Sequence, residues 1–209
     1  RVGPVPSGDD LVGVASGNGM TLALGLGGTI LTSPDGLTWT SRDSGTAAVL
    51  SGAAWGAGRW VVVGGGGTVL GSADGVTYAS QHSGVTADLT DVTFGAGRFV
   101  VAGTAGTVLT SPDGVTWAAR QIPEVKNLFS VTWNGSVFVA GGVSTSLLAT
   151  ILTSPDGMTW ETRWTHFVAN SEVRSVSWDG GRFVAAGHQF QNVLIATSSD
   201  GMTWTSPTI

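Results

Sequence analysis

The residues equipped for chemistry in this chain are few and scattered. Glu124, Glu161 and Glu172 are carboxylates in linking segments, and two such groups about 5–10 Å apart suffice to hydrolyse a glycosidic bond. Solvated loop glutamates are the plainer reading, so no catalytic residue is assigned and the chain is read as a non-enzyme. His82, His166 and His188 lie far apart, with no partner at metal-ligand spacing. Neither a metal nor another cofactor is expected. The glycine run from Gly64 to Gly67 is not followed by a helix that would cap an anion, so it reads as a turn and not a phosphate loop. The remaining chemistry is recognition. Arg42, Gln81, Arg120 and Arg163 place a planar hydrogen-bonding side chain at four corresponding points, suited to sugar hydroxyls or a carboxylate. Trp164 follows Arg163 directly, then come His166 and Phe167, and His188 and Phe190 lie further on. Trp164, Arg163, His166, Arg120 and His188 are expected to line one recognition groove. Gln81 and Arg42 would be weaker copies that give avidity toward a multivalent ligand.

Composition limits the elements that position these groups. The chain has 209 residues, 33 Gly, 9 Trp and no Cys, with 42% hydrophobic and only 11% charged residues. Average domains carry roughly 25% charged residues, yet this apolar fraction is enough to bury a core. Without cysteine there are no disulfides and no thiolate chemistry, so either redox compartment is allowed. A formal charge of −5, with no run of one sign, gives nothing for counterion release, and nucleic acid is not an expected partner. No stretch approaches 18 apolar residues, so no membrane insertion is expected, and no apolar signal core stands at Arg1 to Pro6. Lys126 is the only lysine, and Ser, Thr and Gly dominate the polar positions. That pattern points to an extracellular or virion surface, and to a chain that is a fragment or a processed form.

One heptapeptide organises the whole sequence. It runs from Ser33 to Trp39, Ser72 to Tyr78, Ser111 to Trp117, Ser154 to Trp160 and Ser198 to Trp204. Its aspartates, Asp35, Asp74, Asp113, Asp156 and Asp200, recur at intervals of 39, 39, 43 and 44 residues. A period near 40 marks propeller blades or solenoid units. Upstream of each copy lie short β-branched or aromatic runs bounded by glycine, which read as strands. Each unit therefore has four strands, a to d, and no segment keeps a helical period. Within the box, Pro presets a turn, Gly supplies positive φ and Asp accepts backbone N–H bonds. The aromatic residues Trp39, Trp117, Trp160 and Trp204, with Tyr78 in the second copy, then pack on a neighbouring sheet. The expected fold is all-β, a single domain over residues 1–209. It is a five-bladed β-propeller of four-stranded antiparallel blades, at about 11–49, 50–88, 89–127, 128–172 and 173–209. Closure into a ring is expected, with Arg1 to Pro6 pairing at the seam beside Thr203 to Pro207.

The heptapeptide resembles the Asp-box, or bacterial neuraminidase repeat, of sialidase-like propellers, whose pattern is Ser-x-Asp-x-Gly-x-Thr-Trp. The likeness extends from about Leu11 to Trp204, with one departure: Gly directly follows Asp here, so the turn is one residue shorter. It implies a box on the c–d hairpin, opposite the active face, with a structural role. An enzyme of that family would need three arginines on a substrate carboxylate and a Tyr–Glu nucleophile pair. Arg59, Arg98 and Arg182 occupy one repeat position in three blades and are read as bracing turns, while the only tyrosine, Tyr78, stands in for a box Trp. The relatives implied are five-bladed lectins, surface adhesins and assembly factors.

The repeats also differ in one sector. From the glycine ending strand b to the box serine there are 8 residues in the first three blades, but 12 in the fourth (Gly142 to Ser154) and 11 in the fifth (Gly187 to Ser198). The link from Trp160 to Val173 is likewise long. The b–c and d–a loops of a propeller share one face, which makes this sector the expected recognition site. The functional expectation is a non-catalytic binding module for carbohydrate, of lectin or adhesin type, whose partner is a glycan or a surface protein. A protein-interaction or structural scaffold, such as an assembly factor or virion subunit, is the alternative, with a glycosidase third. A large apolar patch on the loop face would favour a protein partner.

Overall fold

The computed structural model describes residues 10–190 and 192–206, and the seam pairing expected for Arg1 to Pro6 lies outside them. Among the described residues, nineteen strands form five antiparallel sheets in strict chain order. Blade one holds β1 (Leu11–Gly17), β2 (Met20–Gly25), β3 (Ile30–Ser33) and β4 (Thr40–Arg42). Blade two holds β5 (Leu50–Gly56), β6 (Arg59–Gly64), β7 (Thr68–Ser72) and β8 (Ala79–Gln81). Blade three holds β9 (Leu89–Gly95), β10 (Arg98–Gly103), β11 (Thr107–Ser111) and β12 (Ala118–Gln121). Blade four holds β13 (Val125–Trp133), β14 (Phe138–Ser144), β15 (Ala149–Ser154) and β16 (Glu161–His166). Blade five has β17 (Ser171–Trp178), β18 (Phe183–Gln189) and β19 (Asn192–Ser198). Its fourth strand is reduced, among the described residues, to a bridge between Thr197 and Thr205. The chain is thus an all-β, five-bladed propeller.

Local sequence explains the elements. The a–b hairpins of the first three blades turn on Asn18-Gly19, Ala57-Gly58 and Ala96-Gly97, all at positive φ, as a two-residue turn matched to strand twist requires. A register shift near the start of every a strand bends it at the same place. The b and c strands of blades two to four are almost wholly buried because each of these blades is covered by its neighbours. Four apolar clusters result, one at each contact between consecutive blades. Each fully buried Val, Leu or Phe there contributes roughly 1.5–3 kcal/mol. A polar thread reinforces them: the Asp91 carboxylate accepts bonds from the Ser130 hydroxyl (3.0 Å) and the N–H of Val131 (2.9 Å), and Ser130 Oγ in turn accepts from the N–H of Val176 (3.2 Å). Three blades are tied together by this chain of bonds.

The expected ring closure is not seen in the packing of the described residues. Among the described residues, strand packing joins blades one–two, two–three, three–four and four–five, with no comparable contact between five and one. Leu11 and Val14 are 43% and 74% exposed, whereas their counterparts Leu50 and Val92 are 0% and 5% exposed. A repeat encodes contacts with its nearest neighbours. The rotation per blade, which decides how many blades close a circle, depends on side-chain volumes summed across an interface and leaves no mark in spacing.

Candidate functional site

The five boxes sit on the c–d hairpins and share one geometry. In each, the Ser hydroxyl donates to the Asp Oδ1 at 2.9–3.0 Å. The same oxygen accepts the N–H groups two and three residues on, as from Val115 (2.9 Å) and Thr116 (2.8 Å) to Asp113. These bonds hold the carboxyls of Asp35 and Asp113 down to about 2 and lower those of Asp74, Asp156 and Asp200. The box glycines all have φ between 69° and 78°. Trp160 and Trp204 donate through Nε1 to the box glycine carbonyl at 3.1 and 2.9 Å, and Tyr78 does so through its hydroxyl at 3.3 Å. Trp39 is half-buried, and Trp117 packs on the core between blades two and three. The bonds of the Ser and Asp side chains are internal to the turn, which gives the boxes a structural role.

Of the three arginines read as braces, Arg59 and Arg98 stand against the box of the next blade, while Arg182 is exposed. Arg59 Nη1 donates to the Asp113 carbonyl of the next blade's box at 3.3 Å, and Arg98 lowers the Asp156 carboxyl through its charge. They do not converge as a carboxylate clamp.

The long loops of blades four and five do form a depression, a groove of about 500 Å³ lined by Lys126, Asn127, Val143, Leu147, Asn170, Ser171, Glu172, His188 and Phe190. Its walls are fixed by backbone bonds. Thr145 N–H donates to the Glu124 carbonyl at 2.9 Å, and Phe190 N–H donates to the Asn170 carbonyl at 3.3 Å. Ser171 knits the base, its hydroxyl donating to the Val168 carbonyl at 2.6 Å and accepting from the N–H of Ala149 at 2.9 Å. Inside, Glu172 lies 2.5 Å from Arg174 and 3.0 Å from His188. The rim is apolar: Phe190 is 72% exposed, Leu147 is exposed, and the link that enters through Asn170 carries Phe167, 86% exposed, and Val168.

Of the expected recognition residues, only His188 lines this groove. Trp164 is half-buried on β16, packed against the core between blades four and five and stacked on His166 at 5.4 Å. His166 bonds Gln189 beside the groove. Arg163 and Arg42 brace their own sheets, each donating through Nε to a threonine hydroxyl one strand inward, Thr153 at 2.9 Å and Thr32 at 2.8 Å. Arg163 also pairs with Glu161 at 2.5 Å. Arg120 is exposed on β12, where it lines two other depressions of about 860 and 490 Å³, and Gln81 bonds the Ala79 carbonyl at 3.2 Å. The shared repeat position therefore spreads these four around the outer edge. Glu124, Glu161 and Glu172 line three different depressions. Lys126, Asn127, Leu147 and Asn170 were missed as individuals, although the extra loop length marked their sector. Among the described residues no cluster of three His, Asp or Glu side chains is placed to hold a metal, and no helix is long and apolar enough to cross a membrane.

No protein-family model and no curated protein matches this chain, so membership of the Asp-box family is not established. Solved structures do match. A structure described as YCF48 bound to D1 peptide is similar over 96% of this chain and 67% of its own, at 17% identity and a TM-score of 0.69. The WD40 β-propeller domain of Doa1 matches over 93% and 67%, at 14% identity and a TM-score of 0.68. The GH74 enzyme of Niastella koreensis matches over 94% and 30%, at 15% identity and a TM-score of 0.65. At these identities the likeness is one of fold, and it places the chain among β-propellers.

Proposed function

We propose that this propeller is a non-catalytic binding module that takes an extended protein segment into the groove between blades four and five. The observation that carries the reading is the pair of exposed apolar side chains lining the groove, Phe190 and Leu147, beside polar Asn127, Glu172 and His188, with Phe167 and Val168 exposed on the link that leads to it. Apolar patches on a rigid face mark sites for protein partners, and aromatic anchors with peripheral hydrogen bonds suit a peptide. The peptide held by the YCF48 propeller supports the same class of ligand. The separation of the three glutamates gives no support to a glycosidase. Carbohydrate recognition is the second reading, supported by the Trp164–His166 stack beside Gln189. A cell or virion surface is the proposed setting, on the strength of the single lysine and the Ser, Thr and Gly surface.

Selection from a displayed random peptide library, run beside a glycan array, tests the two. Selected peptides should lose about tenfold or more in affinity with Phe190→Ala, an aromatic anchor, without a fall in melting temperature. Glycan binding abolished by Trp164→Ala, with no peptide enriched, would replace the first reading by the second.

A further inference from the structure

Among the described residues the contact between successive blades is made four times, and the outward faces of blades one and five stay open. On the leading face, the positions of Leu11 and Val14 are at most 5% exposed at Leu50, Leu89 and Val92 and in blades four and five, where Leu128, Val131, Val173 and Val176 stand. In blade one the same two side chains are open to solvent. On the trailing face, Val139 and Ile151 of blade four are fully buried under blade five, while their blade-five counterparts Val184 and Ile195 are only half-buried. Ala186 and Val193 beside them are exposed, Val193 by 60%.

The box turns give an independent sign. A Cβ on Gly75, Gly114, Gly157 or Gly201 would meet Met20, Arg59, Arg98 or Val137, the brace residue of the preceding blade. No atom lies within 4 Å of where a Cβ of Gly36 would stand, and Gly36 is the one exposed box glycine. Blade five carries Arg182 at the brace position, where it is exposed and meets no box turn among the described residues. One end has a brace without a turn, and the other a turn without a brace.

We propose that these faces belong together in trans: blade five of one copy packs on blade one of a second copy, head to tail, by the same contact that joins consecutive blades within the chain. Val184 and Ile195 cover Leu11 and Val14, and Arg182 reaches the Asp35 carbonyl as Arg59 reaches that of Asp113. The contact is heterologous, so it propagates until a ring closes.

Sedimentation and light scattering of the 209-residue chain over a concentration series test this, with two blocked variants, Leu11→Asp/Val14→Asp and Val184→Asp/Val193→Asp. These positions are open or half-open in a single copy, and matching melting curves will show that both variants fold. The wild type should form concentration-dependent oligomers and each variant alone should be monomeric. An equimolar mixture should recover a 1:1 dimer, because one variant keeps a good leading face and the other a good trailing face. Arg182→Ala should weaken association by about tenfold, the loss of one charged hydrogen bond. A wild type monomeric at every concentration overturns the proposal. So does a blocked variant that still pairs with itself, or a mixture that fails to pair.

Discussion

Trp204 and Trp117 occupy the same box position, yet their indole nitrogens differ. Trp204 Nε1 donates to Gly201, whereas Trp117 Nε1 is buried without a partner. Trp204→Phe should therefore cost about 1 kcal/mol more than Trp117→Phe, the net value of one hydrogen bond, in chemical denaturation. Trp204→Ala, which empties a buried site, should cost about 3–5 kcal/mol. Two sets of carboxyls shape the acid response. The box aspartates have folded pKa values below 3.8, so their contribution is present above that value and is lost as pH falls toward about 2. Asp91 is opposite: burial pushes its carboxyl up to about 6, so the folded state holds a proton that the unfolded chain has released, and stability falls as pH rises from 3.8 to about 6. Melting curves across that range should show a maximum near the lower of these values. Asp91→Asn should flatten the upper limb while lowering stability, since an amide cannot accept from Val92, Ser130 and Val131 together.

The strands and their turns were legible because each depends on a few adjacent residues. Glycine-bounded apolar runs gave the b and c strands, and the box gave every c–d hairpin. The groove was half legible: the added residues in the loops of blades four and five located it, but the side chains singled out were those of β16, whose alternation turns Trp164 onto the core and Arg163 onto Thr153. No spacing reveals that Phe190 takes a left-handed φ of 54° and stands on the rim. If the groove depends on loop length, deleting residues 145–148, which gives blade four the spacing of blade one, should abolish peptide binding and leave the melting temperature within a few degrees. Loss of folding in that variant would show that the loop holds β14 and β15 together instead.

For the molecule as a whole, stability accumulates from blade to blade, and among the described residues no strand packing like that between neighbours joins the last blade to the first. Arrays coupled only between neighbours loosen from their ends. Amide exchange on the single copy should be fastest in β1 and β19, slower in their counterparts β9 and β11, and should slow at both ends when copies associate. Ring closure was not legible, because apolar a strands are equally consistent with a partner in the same chain and one outside it.

Lys126, the only lysine, stands exposed on the wall of the groove. Among side chains, an amine-selective acylating reagent has a single address on this protein, and that address is where a ligand would sit. Occupancy of the groove can then be read by mass spectrometry as protection of one residue, before any ligand is identified. The same amine offers a point for attaching a fluorophore that reports on binding without a substitution.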